Sequence, residues 1–291
     1  MIRIRNLTFS YIAGGPPSLC NLNLTLTEGE YVALIGPNGC GKTTFIRHLN
    51  ALLLPTSGEV LIDDLSTLEV KNWREIRRRV GMIFQNPDNQ IVGMTVEEDV
   101  AFGPGNLGLP SAEIRRRVDR ALARVGLEGM QNRLPHTLSG GQKQLLALAG
   151  LLAMDPAIIV LDEPTSSLDP AANEQVLSLL QQLKAQGLGI VHVTQNMDEA
   201  ARADRVLVMD QGLIIADGVP GEVLSRVEWL KRLGLAPPMY TELMWLLRQT
   251  GEDVAPDIFS LSEAARVIST LLRQRLVSSP APSTSEEGKH V

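Results

Sequence analysis

Five short, almost wholly apolar runs punctuate the chain: Tyr31–Ile35, Val80–Phe84, Ala157–Leu161, Ile190–Thr194 and Arg205–Met209. Runs of this length without polar alternation suit strands buried on both faces, as in a parallel sheet covered by helices. Ahead of them Ile2, Ile4, Leu7, Phe9 and then Leu22, Leu24, Leu26 mostly alternate with polar neighbours. That pattern predicts a short antiparallel sheet with one buried face. Ser111–Val125 and Gln142–Met154 read as helices and fall between the second and third apolar runs, so they form a helical insertion. The fold class is therefore α/β, mainly parallel.

The pattern changes past Gly218. Helical segments are expected at Gly221–Leu233 and Met239–Thr250, punctuated by Pro237-Pro238. Ser260 and Glu263 form a capping box at the start of a last helix. Its apolar stripe, Leu261, Ala264, Ala265, Ile268, Leu271 and Leu272, packs either on its own domain or across a dimer contact. From Val277 the Ser/Pro/Glu-rich end reads as disordered. The expected division is residues 1–220, with a helical subdomain at about 86–155, then a C-terminal helical domain at 221–276 and a tail at 277–291.

Composition narrows the function. Hydrophobic residues make up 44% and charged residues 21% of 291, enough for a sizeable core. A net charge of −6 argues against a general nucleic-acid binder. The triplets Arg77-Arg78-Arg79 and Arg115-Arg116-Arg117 sit in acid-containing helical stretches, which favours solvated helix faces or a docking surface. The longest apolar run near Leu145–Met154 falls short of the roughly 20 residues of a membrane span. Two cysteines, Cys20 and Cys40, provide no disulfide framework. These features predict a cytosolic protein without direct membrane insertion.

The strongest chemical signal is Gly36-Pro37-Asn38-Gly39-Cys40-Gly41-Lys42-Thr43, followed by Thr44. It follows an apolar strand and opens a helix, the context a phosphate-binding P-loop requires. Glycines let backbone N–H groups converge on phosphate oxygens, and the helix start adds a favourable dipole. Lys42 is placed to reach the β/γ-phosphates and Thr43 to ligate Mg²⁺. Ile158–Leu161 delivers Asp162 and Glu163 to the carboxyl end of a strand, where open α/β sheets bind ligands. Asp162 is expected to hold the Mg²⁺ shell and Glu163 to polarise a water attacking the γ-phosphate. Cys40 is expected to have a lowered thiol pKa from the converging N–H dipoles, leaving Cys20 as the inert, buried cysteine.

Leu138-Ser139-Gly140-Gly141-Gln142 resembles the signature of the ATP-binding subunits of ABC transporters, although alone it would be a helix cap. The resemblance implies a P-loop NTPase core of the RecA-like kind, with an N-terminal antiparallel β-subdomain, a helical signature subdomain and a small C-terminal extension. It implies two subunits sandwiching two ATP molecules, with Ser139–Gln142 closing on the ATP of the opposite subunit. It further implies that Gln85 touches Mg²⁺ and the attacking water, that the loop Ser167-Leu168-Asp169 crosses the dimer interface, and that Tyr11 stacks on adenine.

Phe84–Gln90 and Thr95–Gly103 look like the energy-coupling-factor branch, importers of vitamins or of transition-metal ions such as cobalt and nickel. In that branch two ATPase subunits, identical or different, sit beneath a transmembrane coupling protein and a substrate-binding membrane protein. The resemblance thus implies a peripheral protein on the cytoplasmic face of the cell membrane. One departure stands out: Gln195 occupies the place of the family's switch histidine. Either the glutamine serves adequately or this chain's own site is slow. In the slow case the chain would act as a nucleotide-gated partner supporting a second ATPase subunit. Leu145 also replaces a common arginine, with no physical account of its effect.

Overall fold

The computed structural model describes residues 1–278. Ten strands and eleven α-helices follow in chain order among those residues. They are β1 (Ile2–Phe9), β2 (Leu19–Leu26), β3 (Tyr31–Ile35), α1 (Lys42–His48), β4 (Ser57–Ile62), β5 (Leu65–Ser66) and α2 (Trp73–Arg79). Next come β6 (Val80–Ile83), α3 (Val96–Asn106), α4 (Ser111–Val125), α5 (Gly140–Ala153), β7 (Ile158–Asp162), α6 (Pro170–Ala185), β8 (Gly189–Val193) and α7 (Met197–Ala200). The chain continues through β9 (Arg205–Asp210), β10 (Leu213–Gly218), α8 (Pro220–Leu224), α9 (Val227–Arg232), α10 (Met239–Gln249) and α11 (Leu261–Ser278).

The larger sheet runs β10-β9-β3-β8-β7-β6, parallel except for the antiparallel edge pair β9–β10. Its central strands are the apolar runs, and each sends alternate residues to opposite faces. Ala33, Ile35, Ile159, Leu161, Val206 and Val208 join one core with the helices α3–α6. Val32, Leu34, Val160, Val191, Leu207 and Met209 join a second core with α1 and the small sheet. The small sheet, β2-β1-β4-β5, is antiparallel as expected. Its apolar pattern changes parity between Ile4 and Leu7, and the register shifts there. Asn6, at φ 50°, supplies the left-handed residue that turns the strand. Gly58 passes so close that a Cβ there would lie 2.2 Å from the Asn6 carbonyl oxygen.

The helical insertion contains α3 as well as the two segments the periodicity marks. Thr95 caps α3 by accepting from Glu98 N–H at 3.2 Å, and Gly126 closes α4 in the left-handed conformation. The arginine triplets are largely committed to neighbouring acids: Arg78 and Arg79 to Glu75, Arg116 and Arg117 to Glu113, Arg115 to Glu97.

Beyond Gly218 the expected helix 221–233 is two helices. The chain breaks at Ser225-Arg226, where the Ser225 carbonyl accepts from Val227 N–H at 2.9 Å. The break lets Val223, Leu224, Leu230 and Leu235 all reach the main core. A separate small cluster of Met244, Val254 and Ala264 joins α10 to α11, with Ile268 and Leu271 packed against it. The stripe on α11 is thus split: Ala264, Ile268 and Leu271 pack within their own domain, while Leu261 and Leu272 remain exposed. Helix α11 takes in Val277 and Ser278, so the expected tail loses its first two residues, and the rest of it lies outside the described residues.

Candidate active site

Parallel register brings the loops after β3, β7 and β8 to one end of the sheet. Asp162 pairs with Val193, Leu34 also with Val193, and Glu163 N–H donates to the Val193 carbonyl at 2.9 Å. Gly36–Gly41, Glu163 and Gln195 therefore emerge side by side although the sequence separates them widely. The chain leaves β7 through Glu163 itself, which sits at φ 49°, in the left-handed region that non-glycine residues seldom adopt.

The phosphate loop needs its glycines for two different reasons. Gly39 and Gly41 lie at φ 77° and 112°. A Cβ on Gly36 would lie 2.1 Å from the Met209 carbonyl oxygen, so only glycine lets the loop turn against β9. Pro37 and Asn38 form the crown, with Cys40 N–H donating to Pro37 O at 3.3 Å. Lys42, only 6% exposed, lies along the loop and donates from Nζ to Gly36 O at 2.7 Å and Pro37 O at 3.0 Å. Its ammonium thus rests against the carbonyl oxygens of the loop.

Cys40 corrects the expectation of a lowered thiol pKa. Burial pushes its thiol up, and the nearby Lys42 charge does not offset it. Cys40 is the buried cysteine and Cys20 the partly exposed one, the reverse of the expected assignment.

Next to the loop, Thr43 Oγ1 donates to Asp162 Oδ2 at 3.0 Å across a separation of 119 residues. Burial raises the Asp162 carboxyl above its ordinary range, opposed by the Thr43 hydrogen bond, and the Glu163 charge adds to the rise. A divalent cation at this oxygen would relieve that cost. Among the described residues no three His, Cys, Asp or Glu side chains gather as a metal site. One carboxylate and one hydroxyl fit Mg²⁺, which keeps several waters and takes its other ligands from substrate phosphates.

Glu163 is held at both oxygens. Gln85 Nε2 donates to Oε2 at 3.2 Å and Gln195 Nε2 donates to Oε1 at 2.5 Å. Two side-chain amides thus fix the carboxylate one residue from Asp162, where a nearby water would need its base. Tyr11 lies at the other side of the loop: its hydroxyl shares a 3.0 Å hydrogen bond with Thr44 Oγ1, and its ring meets Phe9 edge-on. Tyr11 is 59% exposed, which leaves it open to a stacking partner.

The remaining candidates hydrogen-bond at their own helix starts, although Gly140 shares a cavity with Gln85. Ser139 Oγ accepts from Gln142 N–H at 3.2 Å, and Gln142 Oε1 accepts from Ser139 N–H at 3.0 Å. This is a reciprocal capping box at the start of α5, with Gly140 and Gly141 in its first turn. Gly141 also lets α6 approach: a Cβ there would meet that of Ala172 at 2.6 Å. Asp169 caps α6, accepting from Ala171 and Ala172 N–H at 3.0 and 2.9 Å. These side chains serve their own helices.

A second buried polar group, which hydropathy patterning does not reveal, lies behind the site and centres on Glu199. Thr165, Thr194 and Asn173 all donate to its carboxylate. His192, wholly buried beside it, is pushed down to about 4 by burial and hydrogen-bonds the Tyr31 hydroxyl at 2.8 Å. The one signal for it in the sequence is a glutamate among the apolar positions Met197 and Ala200.

Comparison with known proteins identifies the family. The family model described as "ABC transporter" matches residues 19–166. A "Cobalt import ATP-binding protein CbiO" from Syntrophus aciditrophicus is 55% identical over 268 residues, 92% of this chain and 96% of its own length. An "Energy-coupling factor transporter ATP-binding protein EcfA1" from Caldanaerobacter subterraneus subsp. tengcongensis is 48% identical, covering 92% of this chain and 98% of its own. The solved structure of cbiO1 from Clostridium perfringens, part of the ABC transporter complex cbiONQ, superposes with a TM-score of 0.73 and 36% identity over 84% of this chain and 98% of that one. The dimeric, ADP- and phosphate-bound cassette MJ0796 superposes with a TM-score of 0.68 and 34% identity over 76% of this chain and 99% of that one.

Proposed function

Because this chain belongs to the family of ABC transporter ATP-binding subunits, we propose that it is the ATP-hydrolysing motor of an energy-coupling-factor-type importer. Its cargo is a vitamin or a transition-metal ion such as cobalt or nickel, and the relative named a cobalt import ATP-binding protein favours cobalt. The observation that carries the catalytic reading is the Glu163 carboxylate gripped by two amides beside the Thr43–Asp162 pair.

In the proposed reaction the loop amides of Gly36–Thr43 and the Lys42 ammonium bind the ATP phosphates, and Tyr11 packs on the adenine. Thr43 and Asp162, with Gln85 nearby, would hold Mg²⁺, which would supply charge neutralisation for the phosphates. Glu163 accepts a proton from the water that attacks γ-phosphorus, and ADP leaves on the opposite side. Gln85 and Gln195 keep the carboxylate aimed. Gln195 retains the donor function of a histidine here, which favours a working site over a merely supporting one. Ser139–Gln142 act on the second subunit's nucleotide and the loop bearing Asp169 crosses the dimer interface, a reading supported by the dimeric cassette relative.

A cleft of about 190 Å³ beside α3 is lined by Gln90, Val92, Phe102, Leu151 and Met154. Val92 and Phe102 are exposed at its rim. We assign it to the transmembrane coupling protein, with a substrate-binding membrane protein completing the assembly on the cytoplasmic face. Among the described residues no helix is long and apolar enough to cross a membrane. The packing of α8 and α9 on the main core supports a domain boundary at Ala236–Pro238 in place of 220/221.

The test has two parts. Affinity purification from detergent-solubilised membranes is expected to bring down a coupling membrane protein with one or two kinds of ATPase subunit. Steady-state Mg-ATP turnover is expected to collapse in Glu163→Gln while nucleotide binding persists. Absence of any membrane partner would overturn the importer assignment, and undiminished turnover would overturn the catalytic one.

A further inference from the structure

Glu199 is 3% exposed on the four-residue helix α7, and the reaction proposed above does not touch it. A carboxylate taken out of water is costly unless hydrogen bonds replace its hydration. Here Thr165 Oγ1 donates to both oxygens at 2.9 and 3.0 Å, Thr194 Oγ1 to Oε2 at 2.7 Å, and Asn173 Nδ2 to Oε1 at 2.9 Å.

The three donors belong to three different segments of the site. Thr165 lies two residues after Glu163, and Thr194 immediately precedes Gln195. Asn173 lies in the first turn of α6, whose cap is Asp169, and its N–H donates to the Asp169 carbonyl at 2.9 Å. The Thr194 hydroxyl also accepts from Asn196 N–H at 3.0 Å, so its orientation shapes the turn that carries Gln195. Apolar side chains would pack the same interior without a desolvation cost. A carboxylate with three directional donors adds fixed geometry, and misplacement by about 1 Å in an active site can cost on the order of 100-fold in rate.

We propose that Glu199 is a positioning residue for ATP hydrolysis. It pins the loops after β7 and β8 to one point, so that the Gln195 amide stays on the Glu163 carboxylate, and it ties both to the loop bearing Asp169. This rests on the reading of Glu163 as the base, and the experiment separates the two.

Steady-state Mg-ATP kinetics on the full chain, binding of a fluorescent ATP analogue and thermal unfolding are measured for Glu163→Gln, Glu199→Gln, Thr194→Val, Thr165→Val and Asn173→Ala. The same Thr194→Val and Thr165→Val changes are then made in a Gln195→Ala background. Thr194→Val is expected to lower kcat at least tenfold with KM and analogue affinity within twofold. With Gln195 already removed, it should cost less than twofold more, because it acts through that residue. Thr165→Val should stay costly in both backgrounds, because it acts through Glu163. Equal losses from Thr194→Val in both backgrounds, or an unchanged kcat in the folded variant, would overturn the proposal. Should Glu199→Gln fail to fold, the threonine and asparagine variants, which each remove side-chain contacts to that carboxylate, carry the test. Turnover unaffected by Glu163→Gln would overturn the underlying reading. Turnover that Glu163→Gln abolishes and Thr194→Val leaves intact would overturn the positioning role alone.

Discussion

The end of the parallel sheet and the start of α5 both gather polar groups of the kind that meet phosphate, yet they are built in opposite ways. At the sheet end, side chains hold one another across long stretches of sequence: Thr43 to Asp162, Gln85 and Gln195 to Glu163. At α5, Ser139 and Gln142 are satisfied within three residues, and Asp169 likewise caps only its own helix. The first region assembles only when the whole sheet has formed. The second forms locally and is presented outward, as suits a surface offered to another subunit.

The sharpest way to break this contrast is to disable each region in a separate chain and mix them. Glu163→Gln is expected to lower ATP turnover by roughly 10²–10⁴, measured as phosphate release. Ser139→Ala is expected to lower turnover severely as well, while leaving nucleotide binding by the isolated chain intact. An equimolar mixture should regain part of the activity, since one site of each mixed dimer keeps both Glu163 and the opposing Ser139. No recovery in an exchanging mixture would mean that Ser139 serves its own chain's nucleotide.

Gln195 sharpens the sheet-end half. Gln195→Ala removes one of the two donors on Glu163 and is expected to slow turnover by about 10²–10³, the cost of losing one well-aimed donor. Gln195→His should stay within a fewfold of wild type, and a large gain would show that glutamine makes the natural site slow.

A stability measurement reads the buried side of the same region. His192 is held neutral in the fold, with its pKa near 4, whereas the unfolded chain protonates it near 6.5. The stability that depends on it is present above pH 6.5 and lost as pH falls toward 4. Between pH 7.5 and 5, wild type should lose more stability than His192→Gln in urea unfolding. Parallel pH profiles would assign the acid sensitivity elsewhere. The smallest effect belongs to the local region: Ser139→Ala should cost about 1 kcal/mol of stability through its lost cap, visible as a shift of a few degrees in Tm.

Much of this architecture is legible in the amino-acid sequence. The apolar runs locate the parallel strands to within a residue or two, because a strand buried on both faces has no polar position to spare. Gly36–Thr43, Asp162-Glu163 and Ser139–Gln142 are readable because strand, turn and helix start are local events. Strands β4 and β10 are not legible because they lie at sheet edges or in the partly exposed layer, where the pattern is weak. The break at Ser225-Arg226 is hidden because both halves carry helix-forming residues, and only packing on the main core separates them.

Short-range chemistry is what the sequence determined alone: which segments are strands, where helices begin, and which loop shape cradles phosphate. The tertiary structure decided what depends on distant neighbours. It set the Cys40 thiol pKa upward, because burial outweighed the local dipoles and charge. It made one cluster of Gln85, Glu163 and Gln195, because parallel register brings strand ends together that the chain keeps apart. It also placed Glu199 beneath that cluster, on a helix too short for periodicity to reveal, where the loss of water makes each hydrogen bond directional and necessary.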